Sequence, residues 1–176
     1  MSAPSPTIPE GLDLMHEGDG IVIRKTWLTW KVAPLAIFAV FWDGFIVFFY
    51  YQILSKPHPL VAVLFPLIHA AVGAGLTYYV VASLVNKTDI QISSTGVRVA
   101  TGPVPWFGNK EVGIDEITDI VVRERTGNRG ARTFAVMYAD RSRRERSLAP
   151  AYSQSDQARF VAQTVRDTLG LASPAN

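Results

Sequence analysis

From Lys31 to Lys87 the chain carries only two formal charges between those lysines, Asp43 and Lys56, and this constrains its fold more than any other feature. Two apolar runs fill the interval, residues 32–54 with Asp43 as their one charge and residues 60–85 with none. About 20 apolar residues cross the hydrocarbon core of a bilayer as a helix, so each run is long enough to span, the second with tilt or overhang. Neither run has a polar face to turn to water, which sets both apart from the helices of a soluble bundle. Trp27 and Trp30 flank one end of the first run, and Tyr50 and Tyr51 the other. Amphipathic rings settle at the headgroup level in this way. The connection Ser55-Lys56-Pro57-His58-Pro59 is short and holds two prolines, so an antiparallel transmembrane hairpin is expected.

The flanking charges orient that hairpin. Arg24, Lys25 and Lys31 precede it and Lys87 follows it, whereas the loop between the helices holds Lys56 alone. Basic residues stay on the cytoplasmic side, which places both termini in the cytoplasm. The first run lies too late and is too long for a cleavable signal peptide.

Outside the hairpin the composition is ordinary. Only 18% of the 176 residues are charged, against about 25% in a soluble domain, and the shortfall lies in the apolar runs. The chain has no cysteine, which excludes disulfides, thiolate metal sites and thiol catalysis. Residues 1–31 are polar and rich in Pro and Gly, an expected extended cytoplasmic tail in which Ile21-Val22-Ile23 is a candidate strand. From residue 86 the pattern turns to period two with turn signals between the runs. Residues 89–93 and 97–100 read as a β-hairpin around Ser94-Thr95-Gly96. Residues 117–122, 133–138 and 145–148 read as further strands, with turns at 127–130 and 140–144. Ser153 or Ser155 is placed to cap a helix that Gly170 stops. Its apolar positions Ala158, Val161, Ala162, Val165 and Leu169 recur every three or four residues, one face for a sheet. Residues 86–176 therefore predict a small antiparallel β-sandwich or barrel capped by a C-terminal helix, the layout of a pleckstrin-homology-like domain.

The whole chain also resembles a group of small bacterial integral membrane proteins built as a two-helix hairpin followed by such a domain. The residues that carry the resemblance are Phe41-Trp42-x-Gly44, Phe65-Pro66-x-x-His69-x-x-x-Gly73, Asn86-x-Thr88, and Gly102-Pro103-x-Pro105-Trp106-x-Gly108-Asn109. An amide often takes the place of Asp43 in that group, so the carboxylate here is a departure. The resemblance implies this architecture and a place in a bacterial inner membrane, and it assigns no mechanism.

Two ionisable residues sit deep in the apolar runs. Counted from Pro57 at about 1.5 Å per residue, Asp43 and His69 both lie roughly 18–21 Å from the loop, at matching depth near mid-bilayer. A charge there costs at least about 2.5–3.5 kcal/mol, so each residue requires a partner or must be neutral. Two readings follow: an intramembrane polar pair that sets the hairpin register, or a proton relay or ligand site. The small residues Gly73, Ala74 and Gly75 near His69 suit close helix packing. They also leave room for a flat macrocycle, which a neutral imidazole ligates as haem or a porphyrin pigment. The residues otherwise indicate no cofactor and no metal, and they supply no nucleophile–base–orienter set for an enzyme.

Arginine dominates the remaining surface. Arg123, Arg125, Arg129, Arg132, Arg141, Arg143, Arg144 and Arg146 fall within a short interval, offset by Glu124, Asp140 and Glu145. Such a basic patch suits anionic headgroups beside the membrane, an acidic protein partner, or a merely solvated face. It lacks the interleaved aromatic rings of a nucleic-acid surface, so nucleic acid is not an expected partner. Membrane lipids and other integral membrane subunits are. The expected role is a non-catalytic accessory subunit of a larger membrane complex. The alternatives are a membrane-anchored lipid-sensing module and a proton-coupled transporter or membrane enzyme using Asp43 and His69.

Overall fold

The computed structural model of the chain describes residues 7–57, 59–64, 66–127 and 130–171. The chain divides into two compact units. One is helical and comprises Trp27–Asn86 together with Pro103–Pro105; the other holds the strands and the last helix.

The strand unit contains a five-stranded antiparallel sheet in the order β1 (Leu12–Glu17), β2 (Gly20–Thr26), β3 (Lys87–Ser93), β4 (Gly96–Gly102) and β5 (Lys110–Gly113). A second, three-stranded sheet is built from β6 (Asp119–Thr126), β7 (Arg132–Ala139) and β8 (Glu145–Ser147). Alternation sets which side faces inward. Ile23, Ile90 and Val99 align across β2, β3 and β4, and Ile92, Val97 and Val112 align across β3, β4 and β5. All six side chains are buried in one core with Ile120, Val136 and Leu148 of the second sheet or its flank. Full burial of each such side chain is worth about 1.5–3 kcal/mol. The helix α4 (Ser155–Leu169) closes this core with Ala158, Val161, Ala162 and Val165, all nearly inaccessible. It ends as expected at Gly170, whose φ of 64° is the left-handed conformation that a helix stop favours.

Several sequence expectations need correction. Residues 12–26 are not tail but the first two strands of the larger sheet, so the domain boundary at residue 31 falls away. Their pattern was hard to read because β2 finds its neighbour β3 only across the whole helical hairpin, at Thr26↔Lys87. The hairpin is thus an insertion between two paired strands, and the register holds its two ends together. The strand expected at residues 117–122 lies at Asp119–Thr126, starting two residues later than its alternation indicates, and the short β5 before it is not among the expected strands. The first position of α4 is preceded by Gln154, with no side-chain capping bond from either serine.

In the helical unit, α1 (Ala33–Leu54) runs as one helix with Pro in its first turn, where a missing N–H is harmless. The second apolar run is split into α2 (Leu60–Leu64) and α3 (Leu67–Val85) beside Pro66. A broken helix leaves orphan carbonyls that need other donors. The Tyr50 hydroxyl donates to one of them, Val63 O, at 3.1 Å. α1 and α3 meet along a narrow seam of Val32, Leu35, Ala36, Ala39, Leu76 and Val80. Most other large apolar side chains face outward: Val40 is 76% exposed, Phe41 74% and Ile68 72%. Both helical segments are long and apolar enough to cross a membrane.

At the base of the helical unit Trp27 N–H donates to Asn86 O at 3.2 Å. The Asn86 side chain is buried and makes a two-way clamp on Val104, donating to its carbonyl at 3.0 Å and accepting from its N–H at 2.8 Å. The Tyr78 hydroxyl donates to Pro105 O. In the strand unit the buried Thr88 and Thr101 hydroxyls lie 2.9 Å apart, and Thr101 N–H donates to Asn109 Oδ1 at 2.8 Å. Three motif positions, Asn86, Pro105 and Asn109, therefore take part in fastening the segment between β4 and β5, and Thr88 ties β3 to β4. Phe65 of the same motifs lies outside the described residues.

Candidate functional site

The first candidate lies in the hairpin. His69, Gly73 and Thr77 are spaced four apart on α3 and form one stripe, which meets Trp42 and Asp43 of α1. Trp42 Nε1–H donates to the His69 carbonyl at 3.1 Å, and its indole stacks on the imidazole with centroids 5.9 Å apart. The Asp43 carboxylate lies against Gly73, where a Cβ would come within 2.3 Å of Oδ1. Its Oδ2 accepts from the Thr77 hydroxyl at 2.5 Å. Residue counting sets Asp43 and His69 at matching distances from the hairpin loop, as an intramembrane polar pair or as a relay or ligand site. In the structure Asp43 accepts a hydrogen bond from Thr77, and Trp42 packs on His69. Position along each helix follows from the count, whereas facing follows from packing. Thr77 was missed, although its four-residue spacing from His69 and Gly73 was a usable signal.

The three small residues divide. Gly73 is buried in the seam, whereas Ala74 and Gly75 are exposed, and a Cβ at Gly75 or at Gly44 would meet nothing within 4 Å. Asp43 itself is half-buried and Thr77 is exposed, so this polar pair reaches the outer surface of the hairpin. Trp42 stacks on one face of the His69 imidazole, and the space a side chain at Gly73 would need is taken by Trp42 and Asp43. Among the described residues no group of three or more His, Asp or Glu side chains converges as a metal site.

The second candidate is the arginine surface of the smaller sheet. Four of its arginines are committed internally. Arg123 forms a two-pronged ion pair with Glu145, which raises the guanidinium pKa and holds the Glu145 carboxyl below its ordinary range. Arg132 pairs with Glu124 at 3.4 Å, Arg146 with Asp140 at 3.3 Å, and Arg141 with Asp115 at 3.9 Å. Among the described residues Arg125, Arg143 and Arg144 have no ion-pair partner; Arg129 lies outside them. Arg143 sits in the β7–β8 turn, where Asp140 Oδ1 accepts the N–H groups of Ser142 and Arg144 at 2.8 and 3.0 Å. Those backbone donors, Arg144 first, hold the Asp140 carboxyl below its ordinary range. Arg143 takes the left-handed conformation, φ 58°, which costs a residue with a Cβ about 1–2 kcal/mol. An exposed guanidinium is displayed there at a conformational cost that glycine would avoid.

Two lysine or arginine positions near the hairpin ends are structural. Arg24 is bidentate to Asp89, at 2.7 and 2.8 Å. Lys25 lies 4.4 Å over the Tyr152 ring and donates to Ala151 O, and burial lowers its pKa. A groove of about 400 Å³ on the larger sheet is lined by Glu17, Asp19, Gln91, Arg98 and Glu111 among others. Three carboxylates against one guanidinium do not suit an anionic ligand.

Searched against protein-family models and against curated proteins, the chain matches none. The class defined by its fold is a two-helix apolar hairpin inserted into a small two-sheet β unit with a C-terminal helix.

Proposed function

We propose that this chain is a membrane-anchored, non-catalytic accessory subunit of a larger integral membrane complex, with both termini on the cytoplasmic side. On this reading the strand unit is a pleckstrin-homology-like domain, and the resemblance to small bacterial hairpin proteins extends to it. The observation that carries the proposal is the Asp43–Thr77 pair, a carboxylate and its donor at mid-helix that reach the outer surface beside open Gly44 and Gly75. In hydrocarbon a half-exposed carboxylate is expensive, and a neighbouring helix approaching over small residues covers it and completes its hydrogen bonds. The test is native mass spectrometry of the chain purified in mild detergent from its own membranes. A discrete complex of fixed stoichiometry is expected, and Asp43→Leu should dissociate it while leaving the chain inserted. A lone chain, unchanged by the substitution, would overturn the reading.

The unpaired Arg125, Arg143 and Arg144 support a second reading, a lipid-responsive module that holds anionic headgroups. It predicts binding to vesicles that falls steeply with salt.

A further inference from the structure

We infer that the loop between β4 and β5 is a membrane-interface anchor, with Phe107 as its inserted side chain; this rests on the hairpin spanning a bilayer. Loops that leave a sheet usually run into water. This one is instead fastened along the end of a helix. Asn86 holds both the N–H and the carbonyl of Val104, and Tyr78 holds the carbonyl of Pro105. Tyr78 lies eight residues before Asn86, about 12 Å along α3, so the two grips place Val104 and Pro105 beside the last turns of the apolar run. Those turns are the interfacial part of the helix. The second run, Leu60–Val85, has 26 residues, about six more than the hydrocarbon requires, and the surplus belongs to the headgroup layer.

The same end of the hairpin carries Trp27, Trp30 and Tyr79, and Trp30 is 79% exposed. Tryptophan and tyrosine concentrate at this depth because their rings are apolar and their N–H or O–H groups need water. Phe107 follows Pro105 by two residues, roughly 7 Å of extended chain at most. It is 89% exposed and rests edge-on against Trp106, with ring centroids 6.0 Å apart. A phenyl ring with no polar atom has nothing to gain from water. Prolines at 103 and 105 restrict the segment before it, so little conformational entropy is lost when the loop is immersed. The partner that these features fit is the boundary between headgroups and acyl chains.

Because the chain lacks cysteine, single nitroxide labels report depth cleanly. Three variants, Phe107→Cys, Phe41→Cys and Ser142→Cys, are labelled and reconstituted in phosphatidylcholine–phosphatidylglycerol vesicles. Collisions with oxygen and with a water-soluble nickel complex are then compared. The label at Phe107 is expected roughly 5–10 Å below the headgroups, shallower than Phe41 and unlike Ser142 in water. Adding Asn86→Ala, which releases Val104, should move it toward the aqueous value. A label at 107 as accessible to nickel as that at 142, with 41 still in lipid, would overturn the inference and leave the spanning hairpin standing. A label at 41 that meets nickel would overturn both. A label at 107 shielded from both reagents would show protein cover in place of lipid, and would also overturn it.

Discussion

Gly73→Ala isolates the geometry of the hairpin seam most directly. The new methyl would lie 2.3 Å from Asp43 Oδ1 and 3.0 Å from Trp42 Cδ1. The carboxylate can rotate away, but only by leaving Thr77, and an intramembrane hydrogen bond is worth about 0.6 kcal/mol on average and up to about 1.7. Crowding against the indole adds about 1–3 kcal/mol. Alanine returns about 1 kcal/mol of helix propensity over glycine. The net expectation is destabilisation by about 1–3 kcal/mol. In an Asp43→Ala background the closer clash and the bond are both gone, and only the 3.0 Å indole contact remains. The indole crowding and the alanine gain both remain, so the same substitution should cost only about 0–2 kcal/mol there, leaving a coupling of about 0.6–1.7 kcal/mol from the lost bond, within the range for contacting residues. The assay is a double-mutant cycle by reversible unfolding in mixed detergent micelles. Effects that add to within about 0.5 kcal/mol would refute the reasoning, because the methyl and the carboxylate would then not compete for one space.

Other outcomes follow from particular contacts. Tyr50→Phe strands the Val63 carbonyl at the helix break and should cost about 1–3 kcal/mol in the same unfolding assay. Acidification tests the Arg123–Glu145 pair. Its bound carboxyl is held below its ordinary range by Arg123, so its contribution is full above that range and is lost as pH falls through the lowered value. Arg123→Gln should flatten that acid limb of the stability curve. Arg125→Gln with Arg143→Gln and Arg144→Gln should reduce the salt dependence of binding to anionic vesicles and leave the circular dichroism spectrum unchanged. Unchanged binding at low salt would return those arginines to solvated surface. For topology, a reporter fused after residue 176 should be active in the cytoplasm and one inserted between Pro57 and Pro59 should be exported; labelling of Ser153→Cys by an impermeant reagent in intact cells would contradict this.

What the sequence determined by itself is what rests on local, periodic chemistry. Two long apolar runs without a polar face form the helical segments, and their limits are legible to within a residue or two because charges, prolines and aromatic rings punctuate them. Strict alternation gave β3, β4 and β7, and Gly170 ended α4 where a left-handed stop was needed. What only the tertiary structure decided depends on partners distant along the chain. The strands at residues 12–26 looked like tail because the ladder of β2 is completed by β3, across the intervening hairpin. Half the arginine cluster looked like free surface because Glu124, Glu145, Asp140 and Asp115 become its partners only when strands and turns are aligned. Asp43 shows the division most sharply. A rise of about 1.5 Å per residue fixes how far along its helix it lies, but rotation about the helix axis is set by how side chains interlock. Trp42 stacking on His69 and the absence of a side chain at Gly73 turn the carboxylate toward Thr77.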